Sequence, residues 1–293
     1  MLFRSTLIGQ ELQTGNYGLQ RLTTSFQTSG EHSALLLNYG KQKSDGFAWH
    51  NTSRKDFANL ILTTQPNERQ SIQTYIGYTD SYDERLGELT PAQWAANDYS
   101  GNIEYLKRDA HSHVSTFRAG VSHTYVFSNK LSNTTAAFGS GLRSDVSSAG
   151  GWTDKTSINY GLRSQFDTRF NLTSKVILAG ISGIEVQRQD AQVVGYSMKQ
   201  NPQDTTTSPW NFSKPFWVIN AATSNTAFTT SPTLIFTQWT VIFPKDLSIT
   251  AGLSYNKQRI VLDDRFNAST AARPSRFKAG YDQMWSPHLA INK

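Results

Sequence analysis

The chain has 293 residues, 37% of them hydrophobic, and a formal net charge of +6. Its apolar runs are short, such as Ala34 to Leu37. They fall far below the roughly 18 residues of a spanning helix, which excludes a helical membrane protein but not a β-barrel with alternating lipid-facing and lumen-facing residues. Cysteine is absent and the 28 basic residues are scattered, so disulfides, thiolate metal sites and a dedicated nucleic-acid surface are not expected.

Taken in order, strand-like segments fall near 3–12, 17–26, 33–42, 55–64, 70–80, 114–127, 131–142, 156–170, 175–187, 232–243, 247–262 and 285–292. The reason is a two-residue rhythm. In Thr116 to Phe127, Phe117, Ala119, Val121, Tyr125 and Phe127 alternate with Thr116, Arg118, Gly120, Ser122 and Thr124. In Ser157 to Phe170, Ile158, Tyr160, Leu162, Phe166 and Phe170 alternate with Asn159, Gly161, Arg163, Gln165, Asp167 and Arg169. Ile249, Ala251, Leu253 and Tyr255 repeat the pattern in Ser248 to Lys257. A strand sends successive side chains to opposite faces, so each segment has one apolar and one polar face.

The connections alternate too. Short ones at 27–32, 65–69, 128–130, 171–174 and 244–246 separate long ones at 44–54, 81–113, 143–155, 188–231 and 264–285. Loops longer than about 12–15 residues are uncommon in compact domains. An up-and-down outer-membrane barrel produces this order by construction, with short turns at one end and long loops at the other. The long connections hold Trp49, Trp94, Trp152, Trp210, Trp217 and Trp285, six of the seven tryptophans. A soluble β-rich carbohydrate-binding protein and a general porin or adhesin-like barrel share parts of this pattern.

Four stretches resemble TonB-dependent outer-membrane receptors, in particular those for iron-siderophore complexes. Gly15, Tyr17 and Arg21 are similar to the family's entry into the barrel. Asn38-Tyr39 followed by Ser44-Asp45-Gly46-Phe47 is similar to a following strand, and Gly77-Tyr78-Thr79-Asp80 with Leu89-Thr90-Pro91-Ala92-Gln93 to a later one. Trp285-Ser286-Pro287-His288-Leu289-Ala290 resembles a late strand start. The resemblance implies a transmembrane barrel of about 22 strands, of which residues 1–293 supply about twelve. It implies a plug domain, a TonB box and a secretion signal, none of which is recognisable here. The expectation is therefore an incomplete all-β antiparallel barrel, the N-terminal part of the barrel domain without the plug and the C-terminal strands. The implied localisation is the bacterial outer membrane, and the implied partners are membrane lipid, a small-molecule metal chelate and the TonB-ExbB-ExbD complex, the last through an N-terminal region not in this sequence.

Two sets of residues stand out for function. The loop aromatics Trp49, Trp94, Tyr99, Trp152, Trp210 and Trp217 are candidates to stack on a flat ferric chelate. Arg118, Arg163, Gln165, Asp167 and Arg169 are expected on the lumen side, because a charge on the lipid face costs roughly 2–4 kcal/mol at midplane. There is no Gly-x-Ser-x-Gly elbow, P-loop or His-Glu-x-x-His, so no catalysis and no cofactor are expected. His111-Ser112-His113 places two imidazoles on one strand face without a third ligand at a recognisable spacing.

Overall fold

The computed structural model describes residues 5–202 and 217–293. They form one antiparallel sheet in which every strand pairs with its neighbour in sequence. The strands are β1 (Ser5–Thr14), β2 (Gln20–Ser29), β3 (Ser33–Ser44), β4 (Ser53–Asn67), β5 (Gln70–Glu84), β6 (His111–Ser128), β7 (Leu131–Ser148), β8 (Gly151–Asn171), β9 (Ile177–Gln200), β10 (Trp217–Ile242), β11 (Ser248–Asp264) and β12 (Arg276–Asn292). Two short helices, α1 (Pro91–Ala95) and α2 (Ile103–Leu106), lie between β5 and β6. Short turns at 30–32, 68–69, 129–130, 172–176 and 243–247 define the inner end. The other connections define the outer end.

This is a single layer, not a sandwich. The accessible area is 18671 Å², about half as much again as the roughly 12,400 Å² expected of a compact monomer of this mass. Among the described residues the buried apolar ones are Leu106, Ala110, Ala191 and Ala227, too few for the core of a soluble domain. The sheet is also open. Strands β1 and β12 each have one ladder partner, and nearly every residue of both is exposed.

Register shows how the two faces are built. Following direct partners from β1 to β9, one row reads Ile8, Phe26, Leu37, Leu60, Ile76, Ala119, Gly139, Tyr160, Arg188. The adjacent row, one residue along, reads Gly9, Ser25, Asn38, Asn59, Gly77, Arg118, Ser140, Asn159, Gln189. Partners share a face and neighbours along a strand do not. The sheet therefore has a continuous apolar face and a continuous polar one. Near the inner end the apolar face continues through Phe170, Leu178, Val241, Ile249 and Ile291. On β8 it runs from Phe170 to Tyr160. Ten steps of about 3.3 Å, tilted by about 40°, rise about 25 Å, the height of a barrel's lipid-facing band.

Several expected boundaries move. The segment 143–155, expected as a loop, is mostly strand: β7 and β8 meet at the two-residue turn 149–150. Strands β9 and β10 extend into the expected loop 188–231, and β12 starts before Trp285. Trp152, Trp217 and Trp285 are thus strand residues. The physical reason is that these outer extensions stand above the apolar band. Charged residues such as Arg143, Asp145, Asp154, Arg188 and Asp190 break the apolar alternation there, so these segments read as loop.

Close packing across the ladder uses glycine where an aromatic ring crosses. A Cβ on Gly183 would lie 2.6 Å from both Phe236 Cζ and the Ser164 carbonyl oxygen. Phe236 thus lies flat over the neighbouring strand on the polar face.

Candidate functional site

The polar face of β8 and β9 carries a connected set of side chains. Arg163 donates to Gln165 Oε1 at 3.0 Å, and Gln165 donates to Asp167 Oδ1 at 3.1 Å. Across the ladder, Arg163 pairs with Glu185 at 3.4 Å, and Glu185 accepts from Gln187. The Arg163 guanidinium also lies 5.0 Å from the centre of the Phe236 ring. Period two places Arg163, Gln165 and Asp167 on one face of one strand, so the chain of contacts follows from the sequence alone. Glu185, Gln187 and Phe236 do not, because they require the register of β9 and β10.

Arg118 and Arg169 share this face but not the network. Arg118 lies in the row with Ser140 and Asn159. Arg169 lines a cavity of about 450 Å³ at the inner end with Asp167, Lys130 and Gln238. All five predicted polar residues lie on the face opposite the apolar stripe.

The aromatic candidates separate into two groups at the outer end. Trp94 and Tyr99 meet edge to face with ring centres 6.2 Å apart, and the Trp49 N–H donates to the Tyr99 carbonyl at 3.3 Å. Phe47 joins at 5.7 Å from Tyr99, and Tyr17 at 6.3 Å from Phe47. Trp94, Phe47 and Tyr17 are more than half exposed. The turn after β1 is docked on the connection after β3 by Asp45 N–H to Tyr17 O at 2.8 Å. Gly18 and Gly46 at positive φ permit this approach. Tyr17 and Phe47 were not among the sequence candidates; the glycines beside them were the available signal.

The second group is built around the connection 85–110. Trp152 lies 5.4 Å from His111, and Arg108 sits 4.2 Å over the Trp217 ring. Ser147, fully buried, donates to the Arg108 carbonyl at 2.6 Å. Helix α2 starts with Asn102 accepting from the Glu104 N–H. It closes with Arg108 and Lys107 donating to Glu104, and these bonds lower the Glu104 carboxyl below its ordinary range. Thr90 and Gln93 form a reciprocal cap on α1. By register, His111, Tyr82 and Trp152 belong to the face of Phe117 and Tyr160, so this group lies above the apolar band on the same side. The two histidines of His111-Ser112-His113 lie beside carboxylates that sequence spacing did not reveal: His113 contacts Asp80 at 2.9 Å and Asp145 at 3.4 Å, and His111 lies 3.7 Å from Asp145. Trp210 lies outside the described residues.

Neither the family models nor the curated proteins compared match the sequence. Solved structures match its fold. The unliganded ferric citrate transporter FecA superimposes with a TM-score of 0.75 over 97% of this chain and 40% of its own, at 12% identity. The fold is that of a siderophore-receptor barrel wall. The siderophore receptor PiuA of Acinetobacter baumannii matches with a TM-score of 0.75 over 99% of this chain and 46% of its own, at 10% identity. FpvA of P. aeruginosa, bound to pyoverdine and iron, matches with a TM-score of 0.76 over 98% and 40%, at 9% identity. The chain thus spans less than half the length of these receptors, and its open sheet corresponds to part of a barrel.

Proposed function

We propose that this chain is the N-terminal part of the barrel of a TonB-dependent receptor in a bacterial outer membrane, and that the complete receptor imports a ferric siderophore. The observation that carries the reading is the open twelve-stranded sheet with one apolar and one polar face. Lipid cannot satisfy the free backbone groups of β1 and β12, so further strands must close the wall. The fold match to siderophore receptors and the sequence resemblance point to the same class.

In this reading Phe117, Tyr160 and Leu253 contact lipid. Arg118, Arg163, Gln165, Asp167 and Arg169 face the plug domain or the solute path. Trp49, Trp94, Tyr99, Trp152 and Trp217 belong to the outer end, where the Tyr17–Phe47–Tyr99–Trp94 group is the strongest candidate to stack on a chelate. Import works through plug movement driven by the TonB-ExbB-ExbD complex, with no covalent chemistry on the ligand.

Uptake of radioactive iron supplied as catecholate, hydroxamate and citrate chelates tests this in cells carrying or lacking the complete gene. The expected result is gene-dependent uptake of one chelate class, abolished by a protonophore and by loss of TonB. Gene-dependent solute entry that survives both treatments would instead mark a porin.

A further inference from the structure

Three donor side chains from three separate segments converge at the outer end. They are His50 in the β3–β4 connection, Glu84 at the end of β5, and Asp109 just before β6. One ligand atom from each lies within 4.8 Å of the other two. His50 is only 10% exposed at its side chain and Glu84 20%. No lysine or arginine pairs with either carboxylate among the described residues; their ion-pair partners are His50 and His111.

The imidazole geometry is the informative part. His50 Nε2 lies 2.9 Å from the Ala110 carbonyl oxygen, so Nε2 carries the proton and donates it. That tautomer leaves the Nδ1 lone pair facing Glu84 Oε1 at 3.8 Å. Two acceptors then face each other across a gap that a bound cation would bridge. A backbone carbonyl holding the far N–H of a histidine is the usual support of a metal-ligating imidazole. Glu84 is oriented in the same way, its Oε2 accepting from the Thr52 N–H at 2.9 Å. His50 and Asp109 both adopt left-handed backbone, at φ 54 and φ 47, a conformation that non-glycine residues keep where the surroundings require it.

We propose that His50, Glu84 and Asp109 bind one divalent transition-metal ion of the zinc class, which pins the 85–110 connection to the barrel wall. One imidazole and two carboxylates suit zinc, and their two negative charges neutralise it. Tetrahedral bonds of about 2.0–2.2 Å place ligand atoms about 3.3–3.6 Å apart, so the His50–Glu84 gap closes by a few tenths of an ångström. Asp109, at 46% exposure and 3.7 Å from Nε2, is the partner that must swing round the ring edge toward Nδ1. A water takes the fourth position. The bound ion would fix three outer segments whose aromatic residues form the mouth.

The test is zinc titration of the complete receptor in detergent, stripped with a chelator and assayed in excess magnesium and calcium. The expected result is one zinc per chain, with proteolysis inside 85–110 slowed on binding. His50→Ala and Glu84→Gln should each weaken binding by about tenfold or more, whereas His123→Ala, at the inner end, should not. Glu84→Gln keeps shape and an acceptor for Thr52, so it carries the test if His50→Ala fails to fold. No zinc binding, or binding unchanged in both variants, overturns the proposal. So does loop protection that follows acidification without zinc, since a protonated His50 would then be the bridging cation. None of these outcomes depends on the transport reading.

Discussion

The lower and upper halves of the same strands are built for different solvents. On β8, from Phe170 to Tyr160, apolar or aromatic side chains occupy four of the six outward positions and polar ones most of the other face. From Thr156 to Trp152 the same outward face carries Thr156, Asp154 and Trp152 instead. On β9 the change comes after Val186, where Arg188 and Asp190 pair at 2.8 Å and Thr229 of β10 donates to Asp190 at 2.6 Å. Below, in the proposed reading, the surrounding hydrocarbon dictates side-chain type. Above, cohesion comes from side-chain networks and from the 85–110 connection packed around Leu106, Ala110 and Ser147. A strand's residue pattern thus reports its solvent as much as its backbone.

The largest expected effect contrasts two sites on one face. In the complete barrel refolded in vesicles, Leu162→Arg should cost roughly 2–4 kcal/mol by urea titration. Thr156→Arg, six residues higher on the same strand and face, should stay within about 0.5 kcal/mol. Equal costs would break the two-solvent division. Next, Gly183→Leu should lose about 1–3 kcal/mol, because its side chain must displace Phe236. Arg163→Ala should cost about 1 kcal/mol or less, since the Arg163–Glu185 pair is solvated and Glu185 keeps Gln187.

The smallest effect concerns pH. The backbone N–H of Asn267, with that residue's side chain and the Phe266 N–H, holds the Asp264 carboxyl down to about 2 from an ordinary 3.8. A depressed carboxylate stabilises the ionised turn above its ordinary value and loses that contribution as pH falls from about 4 toward 2. Amide exchange at Phe266 and Asn267 should accelerate across that window, and Asp264→Asn should remove the pH dependence.

Most of the wall was legible in the sequence, because period-two alternation survives wherever one face meets lipid. All twelve strands were anticipated, as were the open sheet and the polar face bearing Arg163, Gln165 and Asp167. The outer extensions were not: Arg143, Asp145 and Ser147 share a face with Phe117, yet read as loop because polar side chains stand where the apolar alternation would continue. Clusters assembled across strands were equally hidden. Nothing in sequence spacing joins His50, Glu84 and Asp109, or Tyr17 to Phe47 and Tyr99, since only register and loop docking bring them together.

The central claim is that one face of this sheet meets lipid and the other an aqueous lumen, and β8 tests it most directly. Residues 1–293 contain no cysteine, so single cysteines can be placed along β8 of the complete protein in native outer membranes once any cysteine elsewhere in it is replaced by serine. The account predicts that cysteines replacing Tyr160, Leu162 and Phe166 react only with a hydrocarbon-soluble thiol reagent. Those replacing Asn159, Arg163, Gln165 and Asp167 should react with a water-soluble one, alternating residue by residue. Equal labelling of both sets by the water-soluble reagent would contradict it.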